Sequence, residues 1–191
     1  MILDIHTHNA QTCAQTIETV GIHPWHAANC NLAEVELHAQ SADAIGEIGL
    51  DYACEVPREV QMAVFRAQLT IAEQLEKPII LHCVRAFEDV IKIVGEYRLK
   101  AVIFHGFIGP KEQAQRAVAQ GYYLSFGERT FRSPKTIEAL RITPLSHLFV
   151  ESDESTIPIE EIYSKIANLR NVSISELTKV TMANFHRSFR N

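Results

Sequence analysis

The stretch that decides the fold is Lys77-Pro78-Ile79-Ile80-Leu81-His82-Cys83. Pro78–His82 reads as a short apolar strand that ends on a histidine, and helical patterns stand on both sides of it. Before it, Val60, Val64, Phe65, Gln68, Ile71, Ala72 and Leu75 recur near helical spacing across Pro57–Glu76, with Pro57 suited to a first helical turn. After it, Phe87, Val90, Ile91, Val94 and Tyr97 form one stripe across Phe87–Tyr97.

Outward from this stretch the alternation repeats. Further strands are expected at Met1–Ile5, Thr16–Ile22, Asp43–Ile48, Ala101–His105, Tyr122–Phe126 and Leu148–Glu151. Further helices are expected at Lys111–Gln120, Ser133–Leu140, Ile159–Leu169 and Ser175–Phe189. Strand and helix in strict succession imply parallel strands joined by crossover helices. A TIM-type barrel and an open doubly wound sheet both satisfy that pattern, so the polar residues must choose between them.

Those residues fall at the strand ends. Pro78–Leu81 leads to His82, Ala101–Phe104 to His105, Leu148–Val150 to Glu151-Ser152-Asp153, and Ala44–Gly46 to Glu47, while the opening strand carries Asp4, His6 and His8. In a parallel barrel such ends converge on one face, where active sites are built. His6 and His8, two apart, share one face of an extended segment. A lone H-x-H or one histidine at a strand end is more often structural than ligating, but five coincidences of the right chemical classes point to metal. His6, His8, Glu47, His82, His105 and Asp153 exceed what one ion takes while keeping a position for water, so two divalent ions are expected. Glu47, between Gly46 and Gly49, is the natural bridge, since a carboxylate can span two ions and a neutral imidazole cannot. Two such ions activate water and hold the oxygens of an in-line displacement. The mixed ligands suit Zn, Mn, Ni or Fe better than Mg, without choosing among them.

Composition bounds the rest. The 191 residues suit a single domain, 1–191, and 47% apolar with 21% charged residues is ordinary globular composition. No run approaches the roughly 18 apolar residues of a membrane span, so no membrane partner is expected. The first residues lack the basic-then-apolar pattern of a leader, which makes the cytoplasm the expected location. Cys13, Cys30, Cys54 and Cys83 form no C-x-x-C pair, in keeping with a reducing compartment and a metal site of His and carboxylate. The net charge of −5 means that any phosphate handling must rest on local charge and bound cations.

Together, Asp4-Ile5-His6-Thr7-His8, Gly21-Ile22-His23-Pro24-Trp25, Ile45-Gly46-Glu47-Ile48-Gly49-Leu50-Asp51, Lys77–Cys83, His105-Gly106-Phe107 and Glu151-Ser152-Asp153 resemble, in order, the motifs of the TatD-type metal-dependent deoxyribonucleases of the amidohydrolase superfamily. Thr181-Met182-Ala183-Asn184-Phe185 resembles that family's closing helix. The resemblance implies a TIM-type (β/α) barrel. It also implies one ion on His6, His8, Glu47 and Asp153, a second on Glu47, His82 and His105, and Asp153 as the base that positions the attacking water. His23 matches a position near the substrate. Three departures stand out. Only residues 9–20 separate His8 from Gly21, where the family has more, so the barrel is expected to lack one βα unit near the N-terminus and to have about seven strands. The loop after Asp153 is short and lacks arginine, and Gly106 stands where the family often has cysteine.

The resemblance implies cleavage of phosphodiester bonds, with DNA as the expected substrate. Arg85, Lys111, Arg129 and Arg132 could contact phosphates, and Trp25 beside His23 could form a pocket wall, while packing is the commoner role for Phe107, Phe126 and Phe131. The same ligands would serve an amide or ester hydrolase, including one that removes D-amino acids from tRNA, so that alternative stays open. So does a degenerate, non-catalytic member. A phosphoesterase of the polymerase-and-histidinol-phosphatase type ranks behind these, because a late D-x-H is missing. A barrel short of one unit exposes edge strands, which a second subunit or a rearranged helix would be expected to cover.

Overall fold

The computed structural model describes residues 2–8 and 14–190. It divides into two compact units, one spanning Glu18–Phe104 and one combining Met1–Ile17 with His105–Asn191.

Within Glu18–Phe104 the order is β1 (Thr19–Val20), α1 (Leu32–Ala39), β2 (Ala44–Asp51), α2 (Arg58–Gln74), β3 (Ile79–Val84), α3 (Phe87–Val94) and β4 (Val102–Phe104). The strands pair in parallel in that sequence. Ile45, Ile48, Leu50, Ile79, Ile80, Leu81 and Ile103 are all fully buried. Such near-continuous apolar strands are what a parallel sheet requires when both faces are covered.

From α2, Phe65, Leu69 and Ala72 are buried together with two polar residues, Gln61 and Gln68. Gln61 accepts from Asp51 N and donates to Asp51 O, both at 2.8 Å. Two turns on, Gln68 accepts from Ile22 N at 2.6 Å and donates to Ile22 O at 3.1 Å. Gln68 thus takes up backbone groups that a longer β1 would have given to the ladder. That accounts for the early carboxyl end of β1, which spans Thr19–Val20 rather than the expected Thr16–Ile22. Helix α1 was not anticipated, and its stripe is thin: only Val35 and Ala39 are buried, while Leu37 is 74% exposed.

In the other unit, α4 (Lys111–Ala119), β5 (Tyr123–Phe126), α5 (Pro134–Ile142), β6 (Leu148–Val150), α6 (Ile159–Arg170) and α7 (Ile174–Phe189) follow one another, with β5 and β6 parallel. Arg170 at the end of α6 donates to three carbonyls at the end of α5, those of Leu140, Arg141 and Thr143. The chain's first segment is pinned on two sides. Leu3 bridges Gln15 in parallel, while Ile5 N donates to Val150 O at 3.2 Å. Tyr163 from α6 donates to Leu3 O at 2.8 Å.

The expected strand at Met1–Ile5 is therefore an extended segment held by isolated bridges, and Met1 lies outside the described residues. Among the described residues, six parallel ladder strands stand where about seven were expected. The shortened connection is spanned by the direct Leu3–Gln15 bridge, with residues 9–13, including Cys13, outside the described residues. No helix among the described residues is long and apolar enough to cross a membrane.

Candidate metal centres

In the unit containing both termini, β6 gives way at Glu151-Ser152-Asp153 to a turn that docks on the His6–His8 segment. Asp153 N donates to His6 O at 3.0 Å and His8 N donates to Asp153 O at 3.1 Å, a parallel bridge centred on Thr7. This fixes both histidines beside Asp153, whose backbone is left-handed with φ 53°. Below them, buried Asp4 accepts from Ser152 N at 2.9 Å and from Ser152 Oγ at 2.7 Å. Burial nonetheless pushes the Asp4 carboxyl up to about 6.

One candidate ligand atom each from His6, His105 and Asp153 lies within 4.8 Å of the others. The His6 and His105 rings are 4.4 Å apart, and His8 Nε2 is 3.8 Å from Asp153 Oδ1. Glu151, fully buried, presents Oε1 3.5 Å from His105 Nδ1. A carboxylate on that side of the ring favours a proton on Nδ1 and leaves Nε2 as the candidate ligand atom. Burial, and then the Glu151 charge, raise the Asp153 carboxyl above its ordinary range.

In the Glu18–Phe104 unit, the ladder between β2 and β3 slips register between Ile45 and Ile48, and a slip of this kind re-aims a side chain, here Glu47. The strands approach closely there. A Cβ on Gly46 would lie 2.6 Å from Ile80 Cβ, and one on Gly49, whose φ is +145°, would lie 2.0 Å from the His82 carbonyl oxygen. Glu47 Oε1 then sits 2.6 Å from His82 Nδ1 and 3.5 Å from His23 Nε2, and these three residues form a second candidate cluster.

Asp51 stands behind His82, with Oδ2 3.2 Å from Nε2. By accepting from that nitrogen, Asp51 leaves His82 Nδ1 to ligate. Although burial pushes the Asp51 carboxyl up, hydrogen bonds from Trp25, Ala53 and His82 outweigh it and hold it below its ordinary range. His23 differs from His82. Its Nδ1 accepts the Trp25 amide at 3.2 Å, so a neutral ring carries its proton on Nε2, turned toward Glu47. That tautomer suits a hydrogen-bonding neighbour of the substrate better than a ligand.

Both donor sets fit a divalent ion in their chemistry: imidazole nitrogens with carboxylate oxygens, buried or half-buried and lying within 4.8 Å of one another. His6, His8, His105 and Asp153 thus belong to one unit, and Glu47 and His82 to the other. Glu47 and His82 stand inside β2 and β3 rather than at their ends, whereas His105 directly follows β4.

Of the substrate candidates, Trp25 is 58% exposed and Arg85 is exposed just after β3 with φ 52°. Arg129 lines a cavity of about 290 Å³ together with Asp153, Glu151, Thr130 and Ser155. It lies 4.0 Å from Asp153 Oδ2 and 3.3 Å from Glu154. Arg132 pairs with Glu128 at 2.5 Å, and Lys111 is exposed at the start of α4. Phe107 and Phe126 are buried against one another.

The sequence assigns no role to Asp51, Glu151 or Gln61, and to Gln68 only a place on the helical stripe. Asp51 had a signal, since Glu47 and Asp51 lie four apart in one strand and so share a face by the period of two.

A family model for TatD related DNases matches residues 5–190. An uncharacterized metal-dependent hydrolase of Bacillus subtilis, YabD, is 31% identical over 195 residues, covering 90% of this chain and 76% of the relative. The 3'-5' ssDNA/RNA exonuclease TatD of Escherichia fergusonii is 34% identical over 168 residues, covering 80% of this chain and 63% of the relative. The chain therefore spans about three quarters of the first and less than two thirds of the second. A crystal structure of YJJV, a TatD homolog from Escherichia coli K12, superposes with a TM-score of 0.83 at 24% identity over 92% of this chain and 77% of that one. That likeness shows a shared α/β fold.

Proposed function

The chain belongs to the family of TatD related DNases, and we propose that it is a metal-dependent phosphodiesterase acting on DNA ends or related nucleic acid. The observation that carries this reading is the convergence of His6, His105 and Asp153 within 4.8 Å, with His8 pinned beside them by the Thr7–Asp153 bridge. A relative at 34% identity bears the name of a single-strand exonuclease, which supports the substrate class.

The reading has two divalent ions. Glu47 as the carboxylate that would be shared between them rests on its chemistry in the sequence and on the family resemblance. Ions bound at such ligand sets supply water activation and neutralise charge developing on phosphoryl oxygens. The chain's own groups do the rest. Asp153 accepts the proton of the attacking water. Glu151 and Asp51 hold the His105 and His82 rings in the ligating tautomer. Arg129 is placed to leave Glu154 for a phosphate oxygen.

One observation favours a second reading. Arg129 and Arg132 are each paired with a carboxylate, Glu154 and Glu128, and Glu151 and Asp153 line the same cavity, so it offers an anionic substrate no unpaired guanidinium. An uncharged ester or amide would suit such a cavity. The test is purified protein stripped of metal, supplied with Mg²⁺, Mn²⁺ or Zn²⁺, and assayed on single-stranded DNA ends, aminoacyl esters and small amides. Metal-dependent release of nucleotides is expected. Turnover of esters or amides alone would overturn the nuclease reading in favour of the second.

A further inference from the structure

We propose that Trp25 is a stacking platform for the terminal nucleobase of the substrate; this rests on the nucleotide-hydrolase reading above and specifies which part of the substrate is recognised. The indole is fixed at its polar edge and is more than half exposed. Nε1 donates to Asp51 Oδ2 at 2.7 Å, and the backbone amide donates to His23 Nδ1 at 3.2 Å. The ring meets the His23 ring nearly edge-on, with centroids 4.8 Å apart and planes at 84°. Pro24 opens the 3-10 turn that carries it and restricts the backbone on entry. In spite of these constraints Trp25 is 58% exposed, and the other large exposed apolar side chains among the described residues, Leu37, Ile108, Ile142 and Ile174, are all aliphatic.

A tryptophan that only filled space would be buried, whereas this one has its edge and its turn anchored and still stays exposed. Asp51 connects the platform to the chemistry. The oxygen that receives the indole N–H is 3.2 Å from His82 Nε2, and the Trp25 and His82 rings are 6.5 Å apart. A base stacked on the indole would carry its own phosphate toward His82 and Glu47 within the span of one nucleotide. Stacking on an aromatic face is tolerant of base identity, so the platform separates nucleotides from base-free phosphates without reading sequence.

Trp25 is the chain's one tryptophan, so its emission reports on the platform directly. The full chain loaded with Mg²⁺ or Zn²⁺ is titrated with dAMP, with deoxyribose 5-phosphate and with N-acetylphenylalaninamide, excited at the red edge of the indole band. Saturable quenching by dAMP is expected, with deoxyribose 5-phosphate binding roughly five- to a hundredfold more weakly, the range that base–aromatic stacking supplies. Calorimetry on Trp25→Leu should show that preference collapse, while Trp25→Phe keeps most of it. Equal affinity of the native protein for the two phosphates would overturn the proposal. So would an undiminished preference in Trp25→Leu, or saturation by the phenylalanine amide and not by dAMP.

Hydrolysis measured on the same preparations separates the two readings. Metal-dependent phosphodiester cleavage without a preference for dAMP removes the platform and leaves the hydrolase. A preference for dAMP without cleavage does the reverse.

Discussion

Ser152 holds Asp4 by two hydrogen bonds, one from its amide to Oδ1 at 2.9 Å and one from its hydroxyl to Oδ2 at 2.7 Å. The same hydroxyl lies 2.7 Å from Thr7 Oγ1. The pair ties the segment bearing His6 and His8 to the turn bearing Asp153, although 148 positions separate the two residues. Asp4→Asn should therefore weaken divalent-ion binding at His6, His105 and Asp153 by about ten- to a hundredfold, the usual effect of removing an outer-shell partner. Calorimetric titration with Zn²⁺ measures this, with circular dichroism checking that the fold is retained. Unchanged affinity would show that the Asp4–Ser152 link does not position the ligands.

Gln68 is the second lever. Its amide satisfies both backbone groups of Ile22, immediately before His23. Gln68→Leu keeps the bulk and leaves those groups without their partners, so a loss of about 1–3 kcal/mol in urea-induced unfolding is expected. A change within error would mean that water replaces the side chain.

Gly49→Ala is a harsher change. A methyl group there would lie 2.0 Å from the His82 carbonyl oxygen, on a backbone with φ +145°. The variant is expected to yield little folded protein, read by solubility and near-ultraviolet dichroism. A cooperative, native-like melt would contradict the close approach of β2 and β3.

Much of this was legible in the sequence. The short apolar runs at Ile79–Leu81 and Leu148–Val150, each followed by polar residues and standing between helical patterns, read as buried strands, and Gln68 falls on the inner stripe of α2. What stayed hidden depends on tertiary partners. The end of β1 is set by Gln68, which competes for the Ile22 backbone from 46 positions away. The roles of Asp51 and Glu151 arise from which ring nitrogen each faces, and spacing along the chain does not encode that. Helix α1 was missed because two buried residues, Val35 and Ala39, make too weak a stripe to recognise.

Glu47 and Asp153 separate metal binding from turnover. Glu47→Gln removes the charge that faces His82 Nδ1 at 2.6 Å and should lower the metal content of purified protein by at least one equivalent, and by two if the carboxylate bridges both ions as the family resemblance implies. Asp153→Asn should keep the ion at Glu47 and His82 while turnover falls. Elemental analysis of the two variants beside the native protein checks both statements, and full metal content in Glu47→Gln would remove that residue from the ligand set.

The most direct test of the central claim is the rate at which chelator-stripped protein cleaves single-stranded DNA before and after Mn²⁺ is restored, run in parallel with Asp153→Asn. Cleavage that is absent without metal, returns with it, and stays at least a hundredfold lower in Asp153→Asn is the predicted result, in line with about 10²–10⁴ for loss of a general base. Cleavage that survives chelation, or that Asp153→Asn carries out at the native rate, would contradict it.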